Sequence, residues 1–251
     1  MLEVKNLSKQ FGRFEAVKNA NFAVDRGEIV GFVGPNGAGK STTIDMILGL
    51  TKPETGEILI NSEVLTQKTA AKIHQKMGFL STDMNLDRNL TGYEALAFFA
   101  HLRGDWTPEV KNNIKKLAVE INANLNKKIK KLSRGNRQKI GLIASIMNAP
   151  ELLVMDEPTS GFDPIVQSEF IRLLKAHKSQ GGSALISSHN LSEIAEICDR
   201  VIFIVDGKIV DNQSMDELRE KAPKREIIDL DAVLEKLVDK NPDQRVEELS
   251  L

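Results

Sequence analysis

The stretch "GPNGAGKS" (residues 34–41) decides the fold of this chain. It matches the pattern G-x-x-x-x-G-K-[ST] and stands between a short apolar run, residues 29–33, and a stretch with helical spacing, residues 41–50. The glycines let the backbone curl so that successive N–H groups point at one centre, where the start of the helix adds partial positive charge. The pattern therefore predicts a phosphate-binding loop between a buried strand and a helix.

Lys40 and Ser41 give this loop its chemistry. We expect Lys40 to reach the β- and γ-phosphates of a bound nucleoside triphosphate, and Ser41 to place its hydroxyl on Mg²⁺. The residues of the loop and of the first helical turn that we expect to contact the nucleotide are Asn36, Gly37, Ala38, Gly39, Lys40, Ser41 and Thr42.

A second part of the site is predicted at "LLVMDE" (residues 152–157), an apolar strand that ends in two adjacent acids. We expect Asp156 to bind Mg²⁺, directly or through water. The negative charge of the γ-phosphate would raise the proton affinity of Glu157, which suits it to act as a general base toward an attacking water.

The rest of the chain alternates between strands and helices, with one interruption. Strands are predicted near residues 2–7 and 16–24 and again at residues 57–60, before and after the loop. From about residue 90 to residue 148 three stretches in succession have helical spacing, and two of them open on Thr or Ser, which cap helices. Strand and helix then alternate to a hairpin turn at Asp206 and Gly207. A charged tail follows, in which apolar residues from Leu230 onward predict a short amphipathic helix, packed on a neighbouring chain or, as we favour, on the same domain.

The composition of the chain argues against nucleic-acid-binding, secreted and membrane-spanning proteins. Lys and Arg total 34 and Asp and Glu total 35, a net charge of -1, so no basic excess indicates a nucleic-acid partner. The single cysteine, Cys198, cannot form an internal disulfide, and no secretory signal opens the sequence. Every apolar run is shorter than the ~20 residues that cross a bilayer. We therefore expect a cytoplasmic protein, with any membrane crossing done by another chain.

With these motifs the chain resembles the ATP-binding subunit of ABC transporters. The resemblance extends from Leu2 to about Asp211. Its most specific mark is "LSRGN" (residues 132–136), which stands at the head of a predicted helix where the family has a signature usually written LSGGQ. The resemblance implies an α/β fold: a RecA-like P-loop NTPase core with an antiparallel β subdomain and an inserted α-helical subdomain. The predicted domains are an ATP-binding cassette, residues 1–220, with its helical subdomain at about residues 83–148, and a C-terminal extension, residues 221–251.

The resemblance also implies a dimer. In the family two copies pack head to tail, and the signature of each caps the ATP held by the phosphate loop of the other. Ser133, Gly135 and Asn136 would then contact the nucleotide of the partner. Binding of ATP would close the pair and hydrolysis would reopen it. Arg134 and Asn136 depart from the Gly and Gln that are common in the family.

Further residues take roles from the same resemblance. Phe11 resembles the aromatic residue that stacks on adenine, and His189 resembles the switch histidine that contacts the γ-phosphate. The stretch "SGFDP" (residues 160–164) resembles the D-loop. Thr82 stands where the family normally has a Gln that touches Mg²⁺ and the attacking water. Its shorter reach leads us to expect slower or differently coupled hydrolysis.

The sequence therefore predicts a Mg²⁺-dependent ATPase that powers transport, with export favoured, through a membrane-spanning permease. Its partners would be a second copy or a homologous subunit and that permease, without nucleic acid, at the inner face of the cell membrane. Two alternatives stay open. One is a soluble ABC ATPase of protein or iron-sulfur assembly, and the other is a nucleotide-gated regulator with little turnover.

Overall fold

The computed structural model describes residues 1–81, 85–159, 162–188, 191–221 and 230–239. The strands in these residues are β1 Leu2–Phe11, β2 Phe14–Val24, β3 Ile29–Val33, β4 Thr55–Ile60, β5 Glu63–Val64, β6 Met77–Ser81, β7 Leu152–Asp156, β8 Ser183–Ser187, β9 Arg200–Val205 and β10 Lys208–Ser214. The α-helices are α1 Lys40–Ile47, α2 Ala70–Gln75, α3 Gly92–Leu102, α4 Pro108–Glu120, α5 Arg134–Ile146, α6 Pro164–Ser179, α7 Leu191–Ile197, α8 Met215–Lys221 and α9 Leu230–Asp239, and a 3₁₀ turn spans Ile129–Lys131.

The larger sheet has six strands in the order β10-β9-β3-β8-β7-β6. The five strands from β9 to β6 run parallel, and β10 is added antiparallel through a hairpin. Strands β3, β7 and β8 consist almost wholly of buried residues, as strands covered on both faces require. Because these strands are parallel, their carboxyl ends meet at one edge of the sheet, where ligands bind in open α/β folds.

The smaller sheet is antiparallel, in the order β2-β1-β4-β5. Its apolar residues share one core cluster with α1 and with one face of the larger sheet. Phe22 of β2 and Phe32 of β3 illustrate the contact, because their ring centroids lie 5.3 Å apart. The antiparallel sheet therefore covers the face of the larger sheet that carries α1.

Three helices, α3, α4 and α5, follow one another between β6 and β7, as the spacing predicted. Each begins at a side-chain cap: Thr91 forms a capping box with Glu94, and Thr107 and Ser133 accept from backbone N–H groups of their own first turns. Their apolar faces join a second core cluster, on the other face of the larger sheet.

Two short helices were not predicted. They are α2, with six residues, and α8, with seven. The C-terminal helix α9 was predicted, and it packs on α7 and β9 of the same unit through the buried Leu230 and the partly buried Val233, Leu234 and Leu237. Among the described residues no helix is both long and apolar enough to span a membrane.

Candidate functional site

The glycine-rich loop runs from the end of β3 to the start of α1. Gly37 has a φ of 80° and Gly39, the residue that precedes the helix, has a φ of 102°. Residues with a Cβ rarely adopt these angles, so the two glycines permit the tight curl that turns N–H groups toward one centre. The loop between strand and helix is confirmed as predicted.

The loop is held from behind by the rest of the chain. A Cβ on Gly34 would lie 2.1 Å from the carbonyl oxygen of Ile204, and one on Gly39 would lie 2.3 Å from that of Ala16. The hairpin turn after β9 adds a hydrogen bond, from the N–H of Gly207 to the carbonyl of Ala38 at 3.0 Å. The sequence predicted this hairpin but not that it supports the phosphate loop.

Lys40 lies folded over the loop that carries it. Its Nζ donates to the carbonyls of Gly34 at 2.6 Å and Pro35 at 3.1 Å, and only 7% of the residue is exposed. Burial lowers the pKa of the Lys40 ammonium, while the charges of Glu157 and Asp156 oppose that shift. The lysine predicted to hold phosphate is therefore within electrostatic reach of both predicted acids.

Asp156 and Glu157 stand at the carboxyl end of β7, beside the neighbouring strand β8. Ser187 lies opposite Asp156 in the β7–β8 register, and its hydroxyl donates to Asp156 Oδ1. The N–H of Glu157 is 3.0 Å from Ser187 Oγ and 3.2 Å from the Ser187 carbonyl oxygen. Glu157 has a φ of 48°, in the left-handed region that a residue with a Cβ enters at a cost. Strained backbone of this kind clusters at functional sites. Ser187, which holds both Asp156 and Glu157, was not predicted as part of the site.

The donor set at this edge fits Mg²⁺. Ser41 lies exposed in the first turn of α1, and Asp156 supplies a carboxylate. Among the described residues no three His, Cys, Asp or Glu side chains come together as a metal cage. Mg²⁺ suits such a site because it takes one or two protein oxygens and completes its shell with phosphate and water.

A further acid lies close to this donor set. Asp45, one helical turn after Ser41, has a raised pKa, because burial and the charge of Asp156 both disfavour its ionised form. Asp45 was not predicted, although its i, i+4 spacing from Ser41 places both residues on one face of α1.

The predicted adenine-stacking residue lies on the smaller sheet. Phe11 ends β1 and is 52% exposed, and Phe14, its partner in the β1–β2 register, is 61% exposed. Two residues further along β2, Ala16 touches the phosphate loop at Gly39. An exposed aromatic pair therefore stands on the strand pair that flanks the loop. Phe14 was not predicted.

The signature residues lie at the start of α5. Ser133 is exposed and caps the helix, with its Oγ accepting from the N–H of Asn136 at 3.2 Å. A Cβ on Gly135 would meet only Asp163 Oδ2 at 3.9 Å and a methyl of Val166 at 4.0 Å, both ordinary contacts. Nothing within the described chain therefore requires glycine at position 135.

Asn136 uses both ends of its side-chain amide inside the chain. Its Oδ1 accepts from the N–H of Asn124 at 2.7 Å, and its Nδ2 donates to the carbonyl of Asn124 at 3.0 Å. The predicted contact of Asn136 with nucleotide stays a prediction, and the contact that the structure shows is with a neighbouring loop.

The phosphate loop and the signature stand on different elements. Helix α1 packs on β2 and β7, whereas α5 packs on β6, α3, α4 and α6. Two predicted site residues, Thr82 and His189, lie outside the described residues, as do the first two positions of the D-loop stretch. Asp163 of that stretch is described and caps α6, accepting from the N–H groups of Ile165 at 3.0 Å and Val166 at 2.9 Å.

Comparison with known proteins identifies the family. The model of the family described as "ABC transporter" matches residues 17–160, more than half of the chain. The chain belongs to the ABC transporter family. It is 35% identical over 212 residues to the linearmycin resistance ATP-binding protein LnrL of Bacillus subtilis (strain 168), covering 84% of this chain and 68% of that protein. It is also 35% identical over 221 residues to the probable multidrug ABC transporter ATP-binding protein YbhF of Escherichia coli (strain K12). That match covers 87% of this chain, which spans 38% of the length of YbhF.

Solved structures agree with this assignment. One, described as the ATP-binding subunit of an ABC transporter, has a TM-score of 0.84 at 29% identity and covers 94% of this chain and 99% of that one. Another is the dimeric post-hydrolysis state of the ATP-binding cassette MJ0796 bound to ADP and Pi. It has a TM-score of 0.77 at 26% identity and covers 86% of this chain and 99% of that one. The predicted fold class and the predicted relation to ABC transporter ATP-binding subunits are confirmed.

Proposed function

We propose that this chain is the ATP-hydrolysing subunit of an ABC transporter and works as a head-to-tail dimer. One observation carries the proposal: β3 and β7 run parallel on either side of β8, so the phosphate loop with Lys40 and the strand end with Asp156 and Glu157 lie at the same edge of the sheet. A lysine for the β- and γ-phosphates, a carboxylate for Mg²⁺ and a second carboxylate for the water are the parts that phosphate release from ATP requires.

Bound ATP and Mg²⁺ would complete the site from outside the chain. The triphosphate would supply the negative charge that draws Lys40 from the carbonyls of Gly34 and Pro35. Ser41 and Asp156 would hold Mg²⁺, which neutralises charge on the phosphates when bound. Glu157 would take the proton of the attacking water, and Ser187 would keep Asp156 and the Glu157 N–H in place. Phe11 would stack on adenine.

The second half of the site would come from another copy. Ser133 is exposed at the start of a helix, and a Cβ at Gly135 would make only ordinary contacts with its own chain, so close approach of a phosphate would explain the glycine. The solved dimer of a similar cassette with ADP and Pi supports this arrangement. His189 would contact the γ-phosphate from its own chain, and Thr82 would approach Mg²⁺ and the water.

We further propose that the dimer works at the inner face of the cell membrane on a membrane-spanning permease, and that the direction is export. The names of the similar proteins, a resistance protein and a probable multidrug transporter subunit, support transport and favour it over soluble assembly work. We propose residues 1–220 as the cassette and residues 221–251 as an extension, of which α9 packs back on the cassette.

The experiment combines hydrolysis with dimer formation. The purified protein should release phosphate from ATP with Mg²⁺ and not in the presence of EDTA. A Glu157→Gln variant should lose about 100-fold or more of that rate, because it keeps the shape of the base and removes its proton affinity. The same variant should form a dimer with ATP and Mg²⁺, measured by light scattering. Unchanged hydrolysis in this variant would contradict the base role, and a monomer with ATP would contradict the dimer.

A further inference from the structure

The first turn of α5 is tied to a loop that carries no recognised motif, residues 124–127. The N–H of Asn124 donates to Asn136 Oδ1 at 2.7 Å, and Asn136 Nδ2 donates to the Asn124 carbonyl at 3.0 Å. Both ends of one side-chain amide are thus paired with the backbone of a single residue. The two bonds fix the orientation of the Asn136 side chain and the distance between the helix and the loop.

The loop is itself fixed on its other side. Asn124 Oδ1 accepts from the N–H groups of Asn126 at 3.1 Å and Lys127 at 3.2 Å. The N–H of Gly92 donates to the carbonyl of Lys127 at 3.2 Å, and the N–H of Tyr93 donates to the carbonyl of Leu125 at 2.9 Å. The loop is therefore bonded to the start of α3, and Asn136 extends this bonding to α5.

A second tie lies one turn further along α5. Lys139 Nζ donates to the carbonyl of Ile121 at 2.6 Å and pairs with Glu169 at 3.0 Å. Asn136 and Lys139 are three residues apart and share one face of the helix. Of these two residues, Asn136 lies in the first turn of α5. That turn also carries Gly135 and is capped by Ser133, the residues proposed to contact phosphate.

We infer that Asn136 is a positioning residue, which holds the first turn of α5 so that Ser133 and the Gly135 N–H point to the γ-phosphate of the partner. The inference rests on the proposed function and gives Asn136 a role inside its own chain. A turn fixed before the nucleotide arrives loses less conformational entropy when the dimer closes. Gln is one methylene longer than Asn, so on this inference a Gln at position 136 does not reproduce both hydrogen bonds of Asn136 to the Asn124 backbone.

The test compares Asn136→Ala and Asn136→Asp with a matched control, Asn113→Ala. Asn113 is also a partly buried asparagine of the helical block, and its Nδ2 donates to the carbonyl of Met147 at 3.1 Å. In a Glu157→Gln background, each Asn136 variant should weaken ATP-dependent dimer formation at least about fivefold, since each loses one or both hydrogen bonds. ATP affinity of the single chain and the unfolding midpoint should match those of the control. Dimer formation equal to that of Asn113→Ala would overturn the inference.

Hydrogen exchange without nucleotide separates this inference from the proposed function. Amides of the loop, Asn124 to Lys127, should exchange at least about fivefold faster in Asn136→Ala than in Asn113→Ala. Unchanged exchange would overturn the inference even if the protein dimerises. Faster exchange in a protein that fails to dimerise would support the tie and contradict the dimer. Asn136→Gln completes the design: it should behave like Asn136→Ala, and dimer formation at or above the wild-type level would contradict the positioning role of Asn136.

Discussion

The two candidate phosphate-binding segments of this molecule differ in how much of their surroundings their own chain supplies. In the phosphate loop, backbone carbonyls of Ile204 and Ala16 fill the space where a Cβ of Gly34 or Gly39 would lie. At the start of α5, Gly135 would accept a Cβ with ordinary contacts, and Ser133 is exposed. One glycine-bearing segment is therefore shaped by the fold of its own chain, whereas the described chain gives no packing reason for the glycine in the other.

The cost of glycine sharpens this difference. A glycine in a helix interior costs about 1 kcal/mol relative to alanine, and Gly135, in the first turn of α5, carries at most about that cost without a packing reason in the described chain. In the proposed dimer, close approach of a phosphate or of a partner backbone would supply the reason. The cost at Gly39 needs no such explanation, because a φ of 102° excludes other residues in any case.

The largest effect is expected from Gly39→Ala. The added methyl would collide with the backbone of Ala16, and an alanine would have to adopt the positive φ of this position, which residues with a Cβ disfavour, so we expect a loss of more than about 3 kcal/mol of stability. We also expect a loss of more than about 100-fold in ATP affinity, because the curl of the loop cannot form. Gly181→Ala is the control, since Gly181 also has a positive φ, 86°, but open space around it. It should cost about 1 kcal/mol and leave ATP affinity unchanged. Equal losses in the two variants, by urea unfolding and nucleotide titration, would contradict the packing argument.

A smaller and opposite pattern is expected from Gly135→Ala. Stability should stay the same or rise by about 1 kcal/mol, because alanine is the better helix former and the site has room. Hydrolysis should fall about tenfold or more, because a methyl would stand beside a donor aimed at the developing phosphate charge. Thermal unfolding and phosphate release measured on the same preparation check both halves. Wild-type turnover in this variant would show that no ligand approaches there.

The smallest effect is expected far from both segments, at the amino ends of the strands. Glu151 pairs with Lys76 at 2.8 Å and accepts from Asn61 at 2.9 Å, and the hydrogen bond from Lys76 is the main reason that its pKa is lowered. A carboxyl group whose pKa is lowered by folding stabilises the protein at pH values above its ordinary pKa, about 4.5. That stabilisation is lost as the pH falls through the folded pKa. Because the group is partly exposed, Glu151→Gln should cost less than about 1 kcal/mol at pH 7.

Urea unfolding at pH 7 and at acidic pH checks this prediction. The difference in free energy of unfolding between wild type and Glu151→Gln should shrink on acidification. At each pH the two proteins should hydrolyse ATP at the same rate. A difference that grows as the pH falls would contradict the sign of the argument.

Local signals explain what the sequence could predict. The residues from Ile29 to Ser41 combine a buried strand, a glycine pattern and a helix start, so strand, loop and helix followed directly. Asp156 and Glu157 were found because a strand end beside a phosphate loop has a known geometry. The capped helices α3, α4 and α5 were also found from local spacing.

Tertiary contacts explain the rest. No pattern in the sequence brings Ala16 and Gly207 to the phosphate loop, because those contacts depend on how two sheets and a hairpin meet. The tie between Asn136 and Asn124 joins two segments without a common motif. The left-handed φ of Glu157 depends on its bonds to Ser187 of another strand.

The most direct test of the central claim mixes two inactive variants. Lys40→Ala removes the charge of the phosphate loop, and Ser133→Asp keeps a helix-capping side chain but sets a negative charge against phosphate. Each variant alone should be nearly inactive, because every site in its dimer lacks one half. A 1:1 mixture should recover about a quarter of the wild-type rate, because half of randomly formed dimers are mixed and each of those has one intact site. Recovery at that level would show that one ATP is held by two chains, and a mixture as inactive as its components would contradict the account.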